Sequence, residues 1–163
     1  FYSFRVNQNY YIVKGKNLNK ETKVGFKVKV GLEEKKGNLY YSVELCNSGV
    51  KTVFFSDQIL TRKSMLGGAS KFLLNGKLLK DNFVIRNRGN SFKKDKYSLL
   101  NIKPNSCFFK KYNITKVYGL YKIKGNYIAY FSTNDLLGFL DDDGELEFQV
   151  YPIASNFSKL IVK

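Results

Sequence analysis

The stretch KVGFKVKVGL, Lys23 to Leu32, constrains the fold more than any other part of the chain. Val24, Phe26, Val28 and Val30 fall on one side of an extended backbone, and Lys23, Lys27 and Lys29 on the other. A period of two matches a strand, in which successive side chains point to opposite faces; a helix would scatter the same valines around its circumference. Such a strand is half-buried, its apolar face on a core and its lysines in water, which is the habit of antiparallel sheets. EEKKGN follows as a turn and LYYSVEL as a partner strand, so Val24–Leu32 and Leu39–Leu45 are expected to pair as a hairpin.

Other segments extend the pattern. FYSFRV and NYYIVKG predict a hairpin around Asn7–Asn9, rich in residues that favour strands. SGVKTVFF adds a strand after the turn at Asn47–Gly49. The period then changes: Ser56 before DQIL, with Asp57 in the first turn, predicts a capped helix running to about Met65 and broken by Gly67–Gly68. ASKFLLNGKLL predicts a second short helix that stops at Asn75–Gly76. Strands are expected again in NFVIR, SCFFKKYNI, KVYGLYKI and NYIAYFS; STNDLLGFL reads as a short helix capped by Thr133 or Asn134; ELEFQVY and FSKLIVK close the chain as strands. The expected architecture is one α+β domain over 1–163, mainly antiparallel β, with a curved or barrel-like sheet and two or three short helices. The chain starts at Phe1 and leaves open whether it is a piece of a longer one.

Composition removes several kinds of chemistry. At 163 residues and 44% hydrophobic, the chain can bury a core of its own. It has no histidine and two cysteines, Cys46 and Cys107. Imidazole acid–base catalysis is excluded, as is a tetrahedral zinc site, which takes about four nitrogen or sulfur donors. A Cys46–Cys107 disulfide is open to the chain, but two free thiols in a reducing compartment are the expectation. No segment has the length of a membrane span or the layout of a secretion signal. An intracellular location, cytoplasmic or organellar, and no membrane partner are expected.

Charge points to a ligand. The chain carries 28 basic and 13 acidic residues, a net of +15, and a nucleic acid is the first partner to expect of such an excess. A lysine surface left by an AT-rich genome is the bland alternative, but the charge is unevenly placed. Residues 77–124 hold 13 basic and 2 acidic side chains, whereas 135–163 hold 6 acidic and 2 basic. RNRGNSFKKDKY, with Arg86, Arg88, Lys93, Lys94 and Lys96 around Gly89–Asn90–Ser91, is suited to phosphate oxygens. Lys110, Lys111 and Tyr112 in FFKKYN, and Lys122 and Lys124 in the run Val117 to Tyr130, interleave cations with aromatics. Lysines neutralise phosphates and exposed rings stack on unpaired bases, so DNA or RNA binding by these residues is the expected function, without catalysis or cofactor. A domain that docks an acidic protein partner in a larger assembly is a further reading.

The acidic stretch LLGFLDDDGELEF, Leu136 to Phe148, gives the alternative. Asp141, Asp142 and Asp143 are adjacent and the twelfth position from Asp141 is Pro152, which excludes an EF-hand loop. Aspartate and glycine are ordinary turn residues, and a helix-to-strand turn is the plain reading. Leu136 to Gly144 also resembles the LAGLIDADG signature of homing endonucleases. That resemblance implies a helix packed through Gly138, and Asp143, with Asp141 or Asp142, as ligand of a catalytic Mg2+ in a DNA endonuclease. GLYKI and YIAY faintly resemble the GIY-YIG nuclease pattern, but Ala129 replaces its final glycine and the spacing is short, so that reading is set aside.

Overall fold

The computed structural model describes residues 2–6, 9–13, 25–80, 99–118, 124–140 and 143–163, the side chains of 2–6, 9–13 and 135–136 excepted. The described residues are β-rich and mostly antiparallel, and the one short α-helix among them lies in the segment between the fifth and sixth strands. β1 (Tyr2–Val6) and β2 (Asn9–Val13) pair as the expected hairpin. β3 (Phe26–Lys35) and β4 (Asn38–Asn47) form the second. Its turn is Lys36–Gly37, with φ of 51° and 76°, the left-handed pair that a two-residue hairpin turn requires. Val28 and Val30 are buried and Lys27 and Lys29 exposed, as their alternation demands.

β5 (Val53–Ser56) leads into an irregular helical segment rather than the single helix expected. Ser56 does cap it, accepting from the Gln58 N–H, but Asp57–Leu60 is a 3₁₀ turn. Thr61 caps one α turn, Arg62–Ser64, and a wide π-type turn, Met65–Ala69, absorbs Gly67 and Gly68. Leu60, Met65, Leu66 and Ala69 are its buried anchors.

Two expected helices are strands. Residues 69–79 form β6 (Ser70–Leu74) and β7 (Lys77–Leu78) around Asn75–Gly76, whose φ values are 51° and 80°. Asn-Gly is a hairpin signal as much as a helix stop, and here Ser70 and Phe72 turn inward while Lys71 and Leu73 turn outward. The segment 132–140, expected as a helix, is the far end of β10 (Gly125–Leu140). Local propensity is overridden there by pairing on both edges: Ser132 to Leu140 pair with β11 (Leu146–Ala154), and Gly138 pairs with Phe54 of β5. The helix that the LAGLIDADG resemblance implies is therefore absent. Gly138 faces the Phe148 ring, and Gly144, with φ of 76°, belongs to the β10–β11 connection.

β8 (Leu99–Ile102), β9 (Ser106–Asn113) and β12 (Ser158–Val162) complete the described strands. The larger sheet runs β7-β6-β10-β5-β8, with β11 and β12 also on β10; the smaller is β3-β4-β9. The described sheets are open. The two pack face to face over one core: Tyr41 meets Phe72 edge-on at 4.8 Å, and its hydroxyl pairs with Ser70 Oγ at 2.7 Å. Val43, Leu45, Phe55, Phe131 and Leu137 fill the rest.

A bulge ties the sheets together. β11 and β12 follow β10 in nearly one register, interrupted at Ser155–Phe157. Ser155 donates its N–H to the Phe131 carbonyl, and its Oγ accepts from the Phe131 N–H. The Asn156 carboxamide then acts like a strand neighbour toward β3, accepting from the Val30 N–H at 2.9 Å and donating to the Val30 carbonyl at 3.1 Å. Replacing it by aspartate keeps the acceptor and loses the donor, so Asn156→Asp should destabilise the fold by about 1–3 kcal/mol in urea unfolding. An unchanged midpoint would mean that the carboxamide does not hold the edge of β3.

Cys46 and Cys107 are joined as a disulfide, which corrects the expectation of free thiols. They stand directly opposite in the β4–β9 register with Cα atoms 4.1 Å apart, a neighbourhood that their sequence separation of 61 conceals.

Candidate nucleic-acid interface

The side of the β3-β4-β9 sheet that faces away from the core carries the functional candidates. Register fixes its rows: Lys27, Cys46 and Cys107; Lys29, Glu44 and Phe109; Gly31, Ser42 and Lys111; Glu33, Tyr40 and Asn113. Phe109 is 59% exposed on this face, a large ring left in water on a rigid sheet. Lys29 lies two strands away in the same row, and Lys111 is two residues along the same strand. The disulfide sits in the next row and pins β9, which among the described strands pairs with β4 alone.

Lys111 reaches across the sheet. Its Nζ is 2.6 Å from Glu33 Oε2 and 4.9 Å from the centre of the Tyr40 ring, which orients the ammonium by charge and by the ring's π-face. Hydrogen bonding from Lys111, then its charge, holds the Glu33 carboxyl below its ordinary value. Glu44 is a second carboxylate on the face. Its Oε1 lies 3.2 Å from Cys46 Sγ, which places a carboxylate between Lys29 and Phe109.

Of the sequence-derived candidates, Lys110 and Tyr112 point to the other side. Lys110 donates to the Leu60 carbonyl at 3.1 Å and lies over the Tyr112 ring at 5.4 Å, a tie between β9 and the helical segment. Tyr112 is 6% exposed and donates its hydroxyl to the same carbonyl at 2.7 Å, so it has no free face for a base. Adjacent positions on a strand take opposite faces, and FFKKYN alone does not say which parity is outward.

Burial favours the neutral phenol of Tyr112 and pushes its pKa from 10 up to about 12; burial moves Tyr41 and Tyr127 in the same direction. The folded value is the higher one, so the contribution to stability is complete below pH 10 and is lost as pH rises through 12. Tyrosinate absorbance is expected to show Tyr112 ionising in that interval together with unfolding. Its titration near 10 in an intact fold would contradict the burial.

Lys124 stands elsewhere, ahead of β10 and beside the Asn75–Gly76 turn, where Asn126 N–H donates to Asn75 Oδ1. The described candidates therefore fall into two groups, Lys111 on the smaller sheet and Lys124 at the end of the larger, rather than one surface. Arg86, Arg88, Lys93, Lys94, Lys96 and Lys122 lie outside the described residues, as do Asp141 and Asp142. Asp143 is exposed in the β10–β11 connection.

Sequence reasoning missed Lys27, Lys29 and Phe109 as a set. The lysines were visible as the wet side of the alternating strand, but nothing local shows that Phe109 comes to rest on the same sheet face. Glu44, Cys46 and Cys107 cluster closely enough to suggest metal ligands, yet both sulfurs are committed to the disulfide. A cleft of about 230 Å³ lined by Leu66, Lys71, Phe72, Lys80 and Tyr118 also contains Ser70, whose hydroxyl is already paired with Tyr41. No helix among the described residues is long and apolar enough to cross a membrane.

No protein-family model matches the chain, and no curated protein matches it. A solved X-ray structure of a Northeast Structural Genomics Consortium target, SoR45, is similar over 83% of this chain and 87% of its own, at 14% identity and a TM-score of 0.35. A likeness that loose carries no weight for fold or for function.

Proposed function

We propose that the chain is a non-catalytic nucleic-acid-binding module that holds a single strand on the outer face of its β3-β4-β9 sheet. The exposure of Phe109 on a sheet face that also carries Lys27, Lys29 and Lys111 is the observation that carries this reading. Lysines at these positions neutralise phosphates, and a ring fixed on a sheet offers a stacking surface to an unpaired base of either DNA or RNA. The net charge of +15 supplies long-range attraction. Tyr40 and Glu33 aim Lys111, and the disulfide keeps β9 in register under the ligand. A disulfide persists in oxidising surroundings, so we place this binding outside a reducing cytosol, which within the expected locations favours an organelle.

The test is binding of labelled single-stranded DNA and RNA at several salt concentrations. Three lysines on the phosphates give a slope of about −2 in log K against log salt, and any further contact steepens it. Phe109→Ala is expected to weaken binding by about 1–3 kcal/mol while leaving the slope unchanged. Glu44→Gln should tighten binding, because it removes a like charge from the middle of the face. An affinity indifferent to salt and to Phe109 would overturn the proposal.

A further inference from the structure

The outer face of the larger sheet is a different kind of surface. Leu73, Leu78, Ile128, Tyr130, Phe157 and Ile161 all lie on the side away from the core, and among the described residues none of them belongs to the core or to the apolar residues packed against it. Register makes them neighbours. Leu78 pairs with Leu73, Leu73 with Ile128, and Ile128 with Lys159; Ile161 is across from Asn126, and Tyr130 from Lys71. The Phe157 ring, at the bulge, rests 5.1 Å from that of Tyr130. Leu78, Phe157 and Ile161 are 59%, 66% and 66% exposed. Single exposed apolar residues are ordinary; several of them contiguous across four strands mark a site of contact.

Among the described residues of these strands, the charged side chains on this face are lysines. Lys71 and Lys159 stand on the same face by strand parity. No Asp or Glu occurs in β6, β7, β12 or residues 125–134. We infer that this face docks a protein partner presenting apolar side chains inside a rim of carboxylates. A second copy of the chain fits it poorly, since two surfaces bearing only lysine would meet in molecules of net charge +15 each. An anionic lipid surface fits it poorly too. Only Leu78, Phe157 and Ile161 stand out from the face; Leu73, Ile128 and Tyr130 are half-buried in the plane of the sheet, a flat face suited to a protein surface, and the vesicle arm of the test below separates the two. The protein would then hold nucleic acid on one sheet and its partner on the other.

A short peptide in which Phe and Leu alternate with Glu serves as the probe, with a counterpart carrying Lys in place of Glu. The Glu peptide should bind saturably, and Leu78→Ser and Ile161→Ser should each weaken it about ten-fold, the effect of losing one buried aliphatic side chain. Both residues are solvent-exposed, so the fold should survive either change. Phe109→Ala should leave peptide binding as it is while reducing binding of a single-stranded oligonucleotide, which separates failure here from failure of the proposed function. Equal binding of the Lys counterpart, or indifference to both serine variants, would overturn the inference. Sedimentation showing self-association that the serine variants abolish would assign the face to a second copy instead. Flotation with phosphatidylserine vesicles, lost in the same variants, would assign it to lipid.

Discussion

Replacing Cys46 and Cys107 together by serine is expected to lower the unfolding free energy by about 4 kcal/mol, the chain-entropy value for a closed loop of about 60 residues. The bond joins residues separated by 61 positions, so its loss lets β9 and everything between the strands explore far more conformations when unfolded. The native state depends on it as well. Among the described strands β9 pairs only with β4; Lys110 and Tyr112 tie it to the helical segment through the Leu60 carbonyl, and Arg62 through the Asn113 carbonyl. Urea unfolding of the oxidised protein, the reduced protein and the double variant is the measurement. The last two should agree with each other and differ from the first. A double variant as stable as the oxidised protein would show that β9 is held without the bond.

Gly138→Val should cost about 3 kcal/mol, at the upper end for forcing atoms into a packed site. A Cβ at Gly138 would lie 2.8 Å from two carbons of the Phe148 ring. That ring is buried with Phe54, Leu99 and Leu146 in a cluster of its own, and Phe54 is the β5 partner of Gly138. The ring cannot swing aside without opening this cluster. Gly138→Ala should fall between wild type and valine, because the single methyl group meets only the ring edge. Thermal unfolding of the three proteins checks the order. Equal stability would mean that residues 132–140 do not form the strand on which the packing depends.

Gly138 also shows how far a sequence can be read. LLGFLDDDG has apolar spacing that suits either a helix or a doubly buried strand, and a run this short does not distinguish them. The outcome was set by β11 and β5, which occupy both edges of β10 and lie far from it or after it in the chain. β6 reads as a helix for the same reason: Asn75–Gly76 is a stop signal in both states, and pairing of residues 70–74 with β10 selects the strand. By contrast β3 was legible because its alternation is strict and its turn lies next to its partner. The site divides along the same line. Lysines on the wet side of β3 could be read from parity, whereas the meeting of Cys46 with Cys107, and the alignment of Phe109 with Lys29 across Glu44, depend on a register between strands some sixty residues apart. Tyr112 was assigned to the ligand because it stands in a basic, aromatic run, but one residue of parity places it in the core.

The central claim is that nucleic acid lies on the outer face of the β3-β4-β9 sheet. Titrating a short single-stranded oligonucleotide into isotopically labelled protein, and following its amide resonances, tests that most directly. Saturable shifts are expected, concentrated at Lys27, Lys29, Phe109 and Lys111 and lost on adding salt. Shifts confined to Lys71, Tyr130 and Ile161 on the opposite sheet, or none at all, would contradict it.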